Sequence, residues 1–138
     1  MKDAIAVDSS ALIAVLNREP EMPQFLEALR GPRFVIGWPT VLEVRIWCLR
    51  RAGGLSQPWL EDWLTESSTA VIAFNGGLER LAALAYERFG KGRHPAALNF
   101  GDCMSYAVAR HHDAPLLFKG SDFSRTDLDI HEASVVTG

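Results

Sequence analysis

The sequence has few cysteines and no long apolar run. The two cysteines, Cys48 and Cys103, have neither metal-ligand nor redox spacing, so we interpret both as small buried hydrophobic residues. No apolar run approaches a membrane span, and the first residues are too short for a secretory signal. Linkers, repeats and low-complexity segments are also missing. These absences favour one cytoplasmic domain over residues 1–138, without a membrane segment.

The chain carries no large excess of charge of either sign. A formal net charge of −3 argues against a protein whose whole surface binds nucleic acid, but it allows a local basic patch. At 138 residues, with 48% hydrophobic residues, the chain is long enough to bury a core without disulfides.

Short apolar runs alternate with helical patterns along the chain. We predict strands at 4–7, 33–37, 70–74 and 115–118, and helices at 9–17, 23–30, 39–52, 57–66, 78–90 and 100–112. Ser9 or Ser10 is the expected cap of the first helix, Asn75 that of the fifth, and Gly53–Gly54 ends the third. Such alternation predicts an α/β fold with a mostly parallel sheet.

Four acids fall where strands end and helices begin. Asp8 ends the first strand, Glu43 is expected in the first turn of the third helix, Asp102 lies in the first turn of the last helix, and Asp122 follows the last strand. Ligands of parallel sheets bind beyond the carboxyl ends of the strands. We therefore expect these acids to converge.

Each acid also has a purely structural interpretation. Thr40–Glu43 and Asn99–Asp102 match capping boxes, the second more loosely, and Asp8 or Asp122 could form Asx turns. The four acids taken together favour a functional cation site, because clustered carboxylates repel one another unless a cation lies between them. Oxygen ligands without histidine or cysteine select Mg²⁺ or Mn²⁺, which suggests phosphoryl chemistry by a metal-activated water.

Basic residues accompany two of the acids. Lys91 and Arg93 precede Asp102, and Lys119 and Arg125 flank Asp122. They could bind a nucleic-acid backbone, or they could simply be solvated.

Four segments in this order resemble the PIN-domain ribonucleases, and more narrowly the VapC toxins of type II toxin-antitoxin pairs. They are "AVDSSALIAVLNREPE", "LEVR", "HPAALNFGDCMSYAVA" and "PLLFKGSDFSRTDL". The resemblance covers essentially the whole chain. It implies a three-layer α/β/α fold and Mg²⁺- or Mn²⁺-dependent endoribonuclease activity.

The resemblance also assigns residues to the catalytic site. The family's acids match Asp8, Glu43, Asp102 and Asp122, with Asp8 and Asp102 the strongest metal-ligand matches. The family's hydroxyl falls on Ser10, where it would orient Asp8 or a bound water.

The sequence departs from the family near the fourth acid. Phe118 and Gly120 stand where many members have threonine and asparagine, so Asp127 is a possible substitute for Asp122. Asp127 has a structural alternative as well, because Ser124–Asp127 is another capping-box pattern.

The resemblance implies a homodimer and inhibition by a VapB-type antitoxin that lies across the toxin near its active site. The third helix is apolar nearly all round, so it is either deeply buried or covered by another chain. Trp59 and Trp63 could contact a partner helix or belong to the core.

Two other functions compete with RNA cleavage. A PIN-like scaffold could bind RNA or protein without cutting, but it would be expected to lack some of the acids. A haloacid-dehalogenase-type phosphatase needs a second aspartate at the position of Ser10, and a receiver domain needs an acidic pair at the first strand.

Overall fold

The computed structural model describes residues 4–31, 33–51, 56–66 and 68–138. Within them the strands are β1 (Ile5–Val7), β2 (Phe34–Gly37), β3 (Thr69–Ile72), β4 (Leu116–Leu117), β5 (Lys119–Gly120) and β6 (Val135–Val136). The helices are α1 (Ser9–Leu16), α2 (Met22–Ala28), α3 (Trp38–Leu49), α4 (Gln57–Glu66), α5 (Gly76–Phe89) and α6 (Phe100–His112). The predicted stop at Gly53–Gly54 lies outside the described residues.

The central sheet is parallel, in the order β3-β2-β1-β4. The chain moves from β1 to β2 and β3 on one side and then crosses to β4 on the other side of β1. This reversal leaves a crevice beyond the carboxyl ends of β1 and β4, the usual ligand site of such sheets. A second pair, β5 with β6, was not predicted, because each strand has only two residues.

Helices cover both faces of the sheet, so the predicted three-layer α/β/α fold is confirmed. Successive strand residues point to opposite faces. Ala6 and Val35 pack towards α5 and α6, whereas Val7 and Ile36 pack towards α1, α3 and α4. No helix in the described ranges is long and apolar enough to cross a membrane.

Two predicted helix starts are wrong. Asp8, and not Ser9 or Ser10, caps α1, because its carboxyl group accepts from the Ser10 N–H. Helix α3 begins at Trp38 with Gly37 as its N-cap, since Pro39 suits a first-turn position. The capping box predicted at Thr40–Glu43 is therefore not formed, and Glu43 lies in the second turn. Asn75 does cap α5, as predicted.

Candidate active site at the carboxyl edge of the sheet

Asp8 is buried at the carboxyl end of β1, with only 4% of its surface exposed. Its backbone N–H donates to the Leu117 carbonyl at 3.0 Å, which extends the contact between β1 and β4. Oδ2 accepts from the Ser10 N–H and hydroxyl at 3.1 and 2.6 Å, and Oδ1 accepts from the Ser105 hydroxyl at 2.5 Å. Hydroxyl groups from two helices therefore hold the carboxyl group in place.

Ser105 is a buried residue of the site that the sequence analysis missed. It lies three residues after Asp102 on α6, and its hydroxyl is 3.5 Å from that of Thr40, which is also buried. Residues three apart share a helix face, so the spacing from Asp102 was the available signal.

Asp102 belongs both to the capping box of α6, whose N-cap is Asn99, and to the acidic site. It completes the predicted capping box with Asn99, in which Oδ2 accepts from the Asn99 N–H at 3.0 Å. Burial, together with the nearby carboxyl groups of Asp8 and Asp122, raises the pKa of the Asp102 carboxyl group to about 7, although the hydrogen bond from the Asn99 N–H lowers it. The group is therefore in an environment that disfavours its charge.

Glu43 reaches the same place from α3. Loss of solvent around its carboxyl group and the charge of Asp8 raise the pKa of Glu43 to about 7, while the Ser9 hydroxyl opposes the shift. The carboxyl group lies directly against Gly101, where an added β-carbon would overlap it. Gly101 therefore provides the space that lets α3 and α6 bring their acids together.

The carboxyl group of Asp122 forms a side-chain hydrogen bond with that of Asp102. Gly120 precedes it with a φ of 148°, a conformation that glycine adopts readily. Phe118 packs edge-on against Phe123, with ring centroids 5.2 Å apart. The two departures from the family pattern, Phe118 and Gly120, thus shape and hold the segment that carries Asp122.

Asp127 lies in a different cluster. It accepts from the Tyr106 hydroxyl at 2.7 Å and pairs with Arg110 at 2.6 Å and Arg88 at 3.4 Å. Hydrogen bonds and the two guanidinium groups hold the pKa of Asp127 low, although partial burial raises it. Asp127 does not form the capping-box contact suggested by its spacing from Ser124, because Asp122 occupies the N-cap of the 3₁₀ turn Phe123–Arg125.

The predicted cations differ in whether carboxylates of the protein already neutralise them. Lys119 Nζ contacts carboxylate oxygens of Glu19 and Glu21 at 2.6 and 2.8 Å, which argues against it as a phosphate contact. Lys91, Arg93 and Arg125 are exposed. These three are the predicted cations that the structure leaves facing solvent.

The acids fit a hard divalent cation that keeps part of its water. Among the described residues, no three acids, histidines or cysteines already stand close enough to enclose an ion. Mg²⁺ does not need such a cage, because proteins usually bind it through one or two carboxylates and leave positions for water and phosphate. Asp102 and Asp122, in contact with each other and beside Asp8, provide that kind of ligand set.

Comparison with known proteins identifies a family. The PIN-domain family model matches residues 5–128. The chain is 40% identical over 125 residues to a Mycolicibacterium smegmatis protein named Ribonuclease VapC, covering 90% of this chain and 97% of the relative. It is 36% identical over 125 residues to Ribonuclease VapC30 of Mycobacterium tuberculosis, covering 90% and 95%.

Solved structures share the fold. The Mycobacterium tuberculosis toxin VapC20, described as cleaving the sarcin-ricin loop, superposes with a TM-score of 0.73 at 21% identity, covering 90% of this chain and 95% of that one. A toxin-antitoxin complex from Klebsiella pneumoniae gives a TM-score of 0.67 at 18% identity, covering 97% and 96%. The identity in both cases is low, so these likenesses concern architecture.

Replacing Gly101 with alanine should displace the Glu43 carboxyl group without unfolding the protein. The new methyl group meets only the flexible end of a side chain, and alanine is favoured over glycine in helices by up to about 1 kcal/mol. We expect unchanged or slightly higher stability, together with a lower Glu43 pKa as the group moves from Asp8 into water. NMR titration of the Glu43 side chain measures this change.

Gly77→Ala is the matched control, because Gly77 is also the second residue of a helix with an asparagine cap, and its neighbour is at ordinary contact distance. An unchanged Glu43 pKa in Gly101→Ala would contradict the close packing described here.

The metal-free protein should lose stability as the pH rises from about 4.5 to about 7. The pKa values of Glu43 and Asp102 are both raised to about 7 in the fold, so the folded state holds protons that the unfolded chain has released. The contribution is present at low pH and lost once both groups ionise. Mg²⁺ should raise the melting temperature more at pH 8 than at pH 5, because a cation then replaces the protons.

Thermal unfolding at both pH values, with Mg²⁺ or with EDTA, measures these changes. In the double variant Glu43→Gln, Asp102→Asn the pH slope should flatten and the Mg²⁺ effect should shrink. Equal Mg²⁺ stabilisation of variant and parent would show that the ion binds elsewhere.

Proposed function

Because this chain belongs to the PIN-domain family, among the VapC ribonucleases, we propose that it is a divalent-metal-dependent endoribonuclease that uses Mg²⁺ or Mn²⁺. We further propose that residues 1–138 act as a single domain. The observation that supports the chemistry is the convergence of the four predicted acids beside the crevice between β1 and β4. A scaffold that binds without cutting has no need to maintain this costly arrangement.

We assign a separate role to each acid of the site. Asp8 is the rigid ligand, since hydroxyl groups hold both of its oxygens. Asp102 uses one oxygen in the capping box and lies within hydrogen-bond reach of Asp122, so these two carboxyl groups would bind the cation together. Glu43 reaches the site from α3, with its carboxyl group packed against Gly101. When bound, the cation would lower the pKa of a coordinated water and neutralise charge on the phosphate.

Partner proteins belong to the same proposal. The Klebsiella pneumoniae structure with this fold is a toxin-antitoxin complex, and we propose that a VapB-type antitoxin inhibits this chain in the cytoplasm, where its RNA substrate is found. We also propose a homodimer, whose second copy covers an exposed row on α3. That row is Trp38, Leu42, Ile46 and Leu49. Trp63 is buried against Phe34, so of the two predicted partner tryptophans only Trp59 is partly exposed.

Asp8→Asn and Asp102→Asn should each slow RNA cleavage by about 100-fold or more. A metal contributes several kcal/mol to the transition state, and each 1.36 kcal/mol corresponds to a factor of ten. Asparagine is a good N-cap for α1 at position 8, and at position 102 it keeps the size of the side chain and a carbonyl acceptor for the Asn99 N–H, so both variants should fold. Purified antitoxin-free protein is incubated with structured RNAs in Mg²⁺ or Mn²⁺, and the fragments are quantified.

Asp113→Asn is the control, because it makes the same change at the exposed C-terminal end of α6. EDTA should abolish cleavage by the parent protein. If the parent and both acid variants cut equally, the nuclease activity comes from a contaminant and the assignment is wrong.

Co-expression with the product of the adjacent small gene should give a stable complex and relieve growth arrest. Asp8→Asn should relieve the arrest without the antitoxin and should still bind it, because the substitution is buried and close in shape. Co-purification and light scattering report the complex and the number of toxin copies. A chain that arrests growth but is never neutralised by that product would be a nuclease outside a toxin-antitoxin pair.

A further inference from the structure

An apolar cavity of about 260 Å³ opens between α5 and α6, on the opposite face of α6 from the acids. It is lined by Phe74, Glu79, Ala82, Ala83, Tyr86, Phe100, Cys103 and Met104. Pockets for drug-sized ligands start at about 300 Å³, so this one suits a single small ring system. Neither the acids nor the metal chemistry accounts for it.

Phe100 lies between this cavity and the acidic site along the chain. It is the first residue of α6, and 78% of its surface is exposed. Asp102 follows two residues later and projects from a different side of the helix, whereas Cys103 lines the cavity with Phe100. An RNA strand that crosses the first turn of α6 would therefore pass from Asp102 on one side to the cavity on the other.

The basic loop between α5 and α6 rests on the rim of the cavity. The Tyr86 hydroxyl donates to the Lys91 carbonyl at 3.3 Å, and the Arg93 guanidinium lies 5.7 Å from the centre of the Tyr86 ring. Gly90 makes this close approach possible, because a β-carbon there would overlap Tyr86. Aromatic surface and exposed positive charge thus occur side by side, as in proteins that bind single-stranded nucleic acid.

We propose that the cavity binds one unstacked nucleobase of the RNA substrate, across the N-terminus of α6 from the acids. The proposal rests on the ribonuclease function above. Sequence-specific RNA recognition commonly stacks a splayed base on aromatic side chains, and Phe100, Tyr86 and Phe74 provide such surfaces. Lys91 and Arg93 would hold the neighbouring phosphates.

Glu79 gives the cavity a preference among bases. It is the single charged residue in the lining, and its carboxylate accepts hydrogen bonds but donates none. Acidic side chains recognise the exocyclic amine of cytosine in this way. Uracil has a carbonyl oxygen in place of this amine, which a carboxylate repels, and its only Watson–Crick donor, N3–H, lies between two carbonyl oxygens. The cavity therefore favours a base that carries an exocyclic amine, cytosine above all, over uracil.

A nucleobase fits these groups better than an apolar side chain of a partner protein. An inserted leucine or phenylalanine would bury against the rings, but it would leave the Glu79 carboxylate without a hydrogen-bond donor and make no use of the two cations. An amine-bearing base would donate a hydrogen bond to Glu79, and its phosphates would pair with the two cations.

Binding can be measured separately from cleavage in the Asp8→Asn background, in Mg²⁺, by the fluorescence anisotropy of labelled oligo(C) and oligo(U) RNA. We expect oligo(C) to bind more tightly than oligo(U). Phe100→Ala removes a stacking surface, and Ala83→Met fills the cavity from an exposed position on α5. Each should weaken oligo(C) binding about tenfold. Glu79→Gln should reduce the preference for oligo(C).

Leu84→Ala is the control, because it shortens an exposed hydrophobic side chain of α5 that does not line the cavity. It should bind both RNAs as the parent does. Thermal melting confirms that each variant is folded, and Ala83→Met tests the cavity independently should Phe100→Ala prove unstable. In the active protein, sequencing of RNA ends from a randomised pool should show the base preference relaxing in Glu79→Gln.

Two results would overturn the proposal. One is parent-like RNA binding and cleavage-site preference in both Phe100→Ala and Ala83→Met. The other is loss of antitoxin binding in these variants with RNA binding intact, which would assign the cavity to the partner protein. Absence of cleavage by the parent would count against the nuclease function, whereas the anisotropy comparison would still report on the cavity.

Discussion

The site depends on the hydrogen bonds that fix the buried Asp8 carboxyl group. A carboxylate without partners would be costly at this depth, so each oxygen needs a donor. Ser10 provides donors from α1 and Ser105 provides one from α6, while the Ser10 hydroxyl also accepts from the Lys119 N–H of β5 at 3.0 Å. One acid thus connects a strand, two helices and the segment that leads to Asp122.

Crowding of carboxyl groups around Asp8 opposes the stability of the fold. Burial and neighbouring charge raise the pKa values of Glu43 and Asp102 to about 7, which means that the metal-free fold disfavours the charged forms that a cation needs. A divalent cation relieves the repulsion and restores the charges together. The unfavourable electrostatic interactions are therefore concentrated at the carboxyl edge of the sheet, and the two apolar cores on either side of the sheet offset them.

The sequence predicted the α/β class, the three layers and the meeting of the four acids, because apolar periodicity and chain order determine where parallel strands end. It could not locate Glu43 in the second turn, since Pro39 and Gly37 start α3 earlier than the Thr40 capping pattern suggests. Ser105 was missed because one hydroxyl among apolar residues has no distinct pattern. The ion pairs of Lys119 could not be predicted, because Glu19 and Glu21 are about a hundred residues away in the chain.

Neutralisation of Lys119 also determines how a nucleic acid can approach. With that cation occupied by carboxylates of the α1–α2 connection, the exposed predicted cations are Lys91 and Arg93 in the loop before α6 and Arg125 after Asp122. A nucleic acid held by these cations would contact that loop and the turn after Asp122. The N-terminus of α6 combines an exposed aromatic residue, the glycine that admits Glu43 and a predicted metal ligand within three consecutive residues.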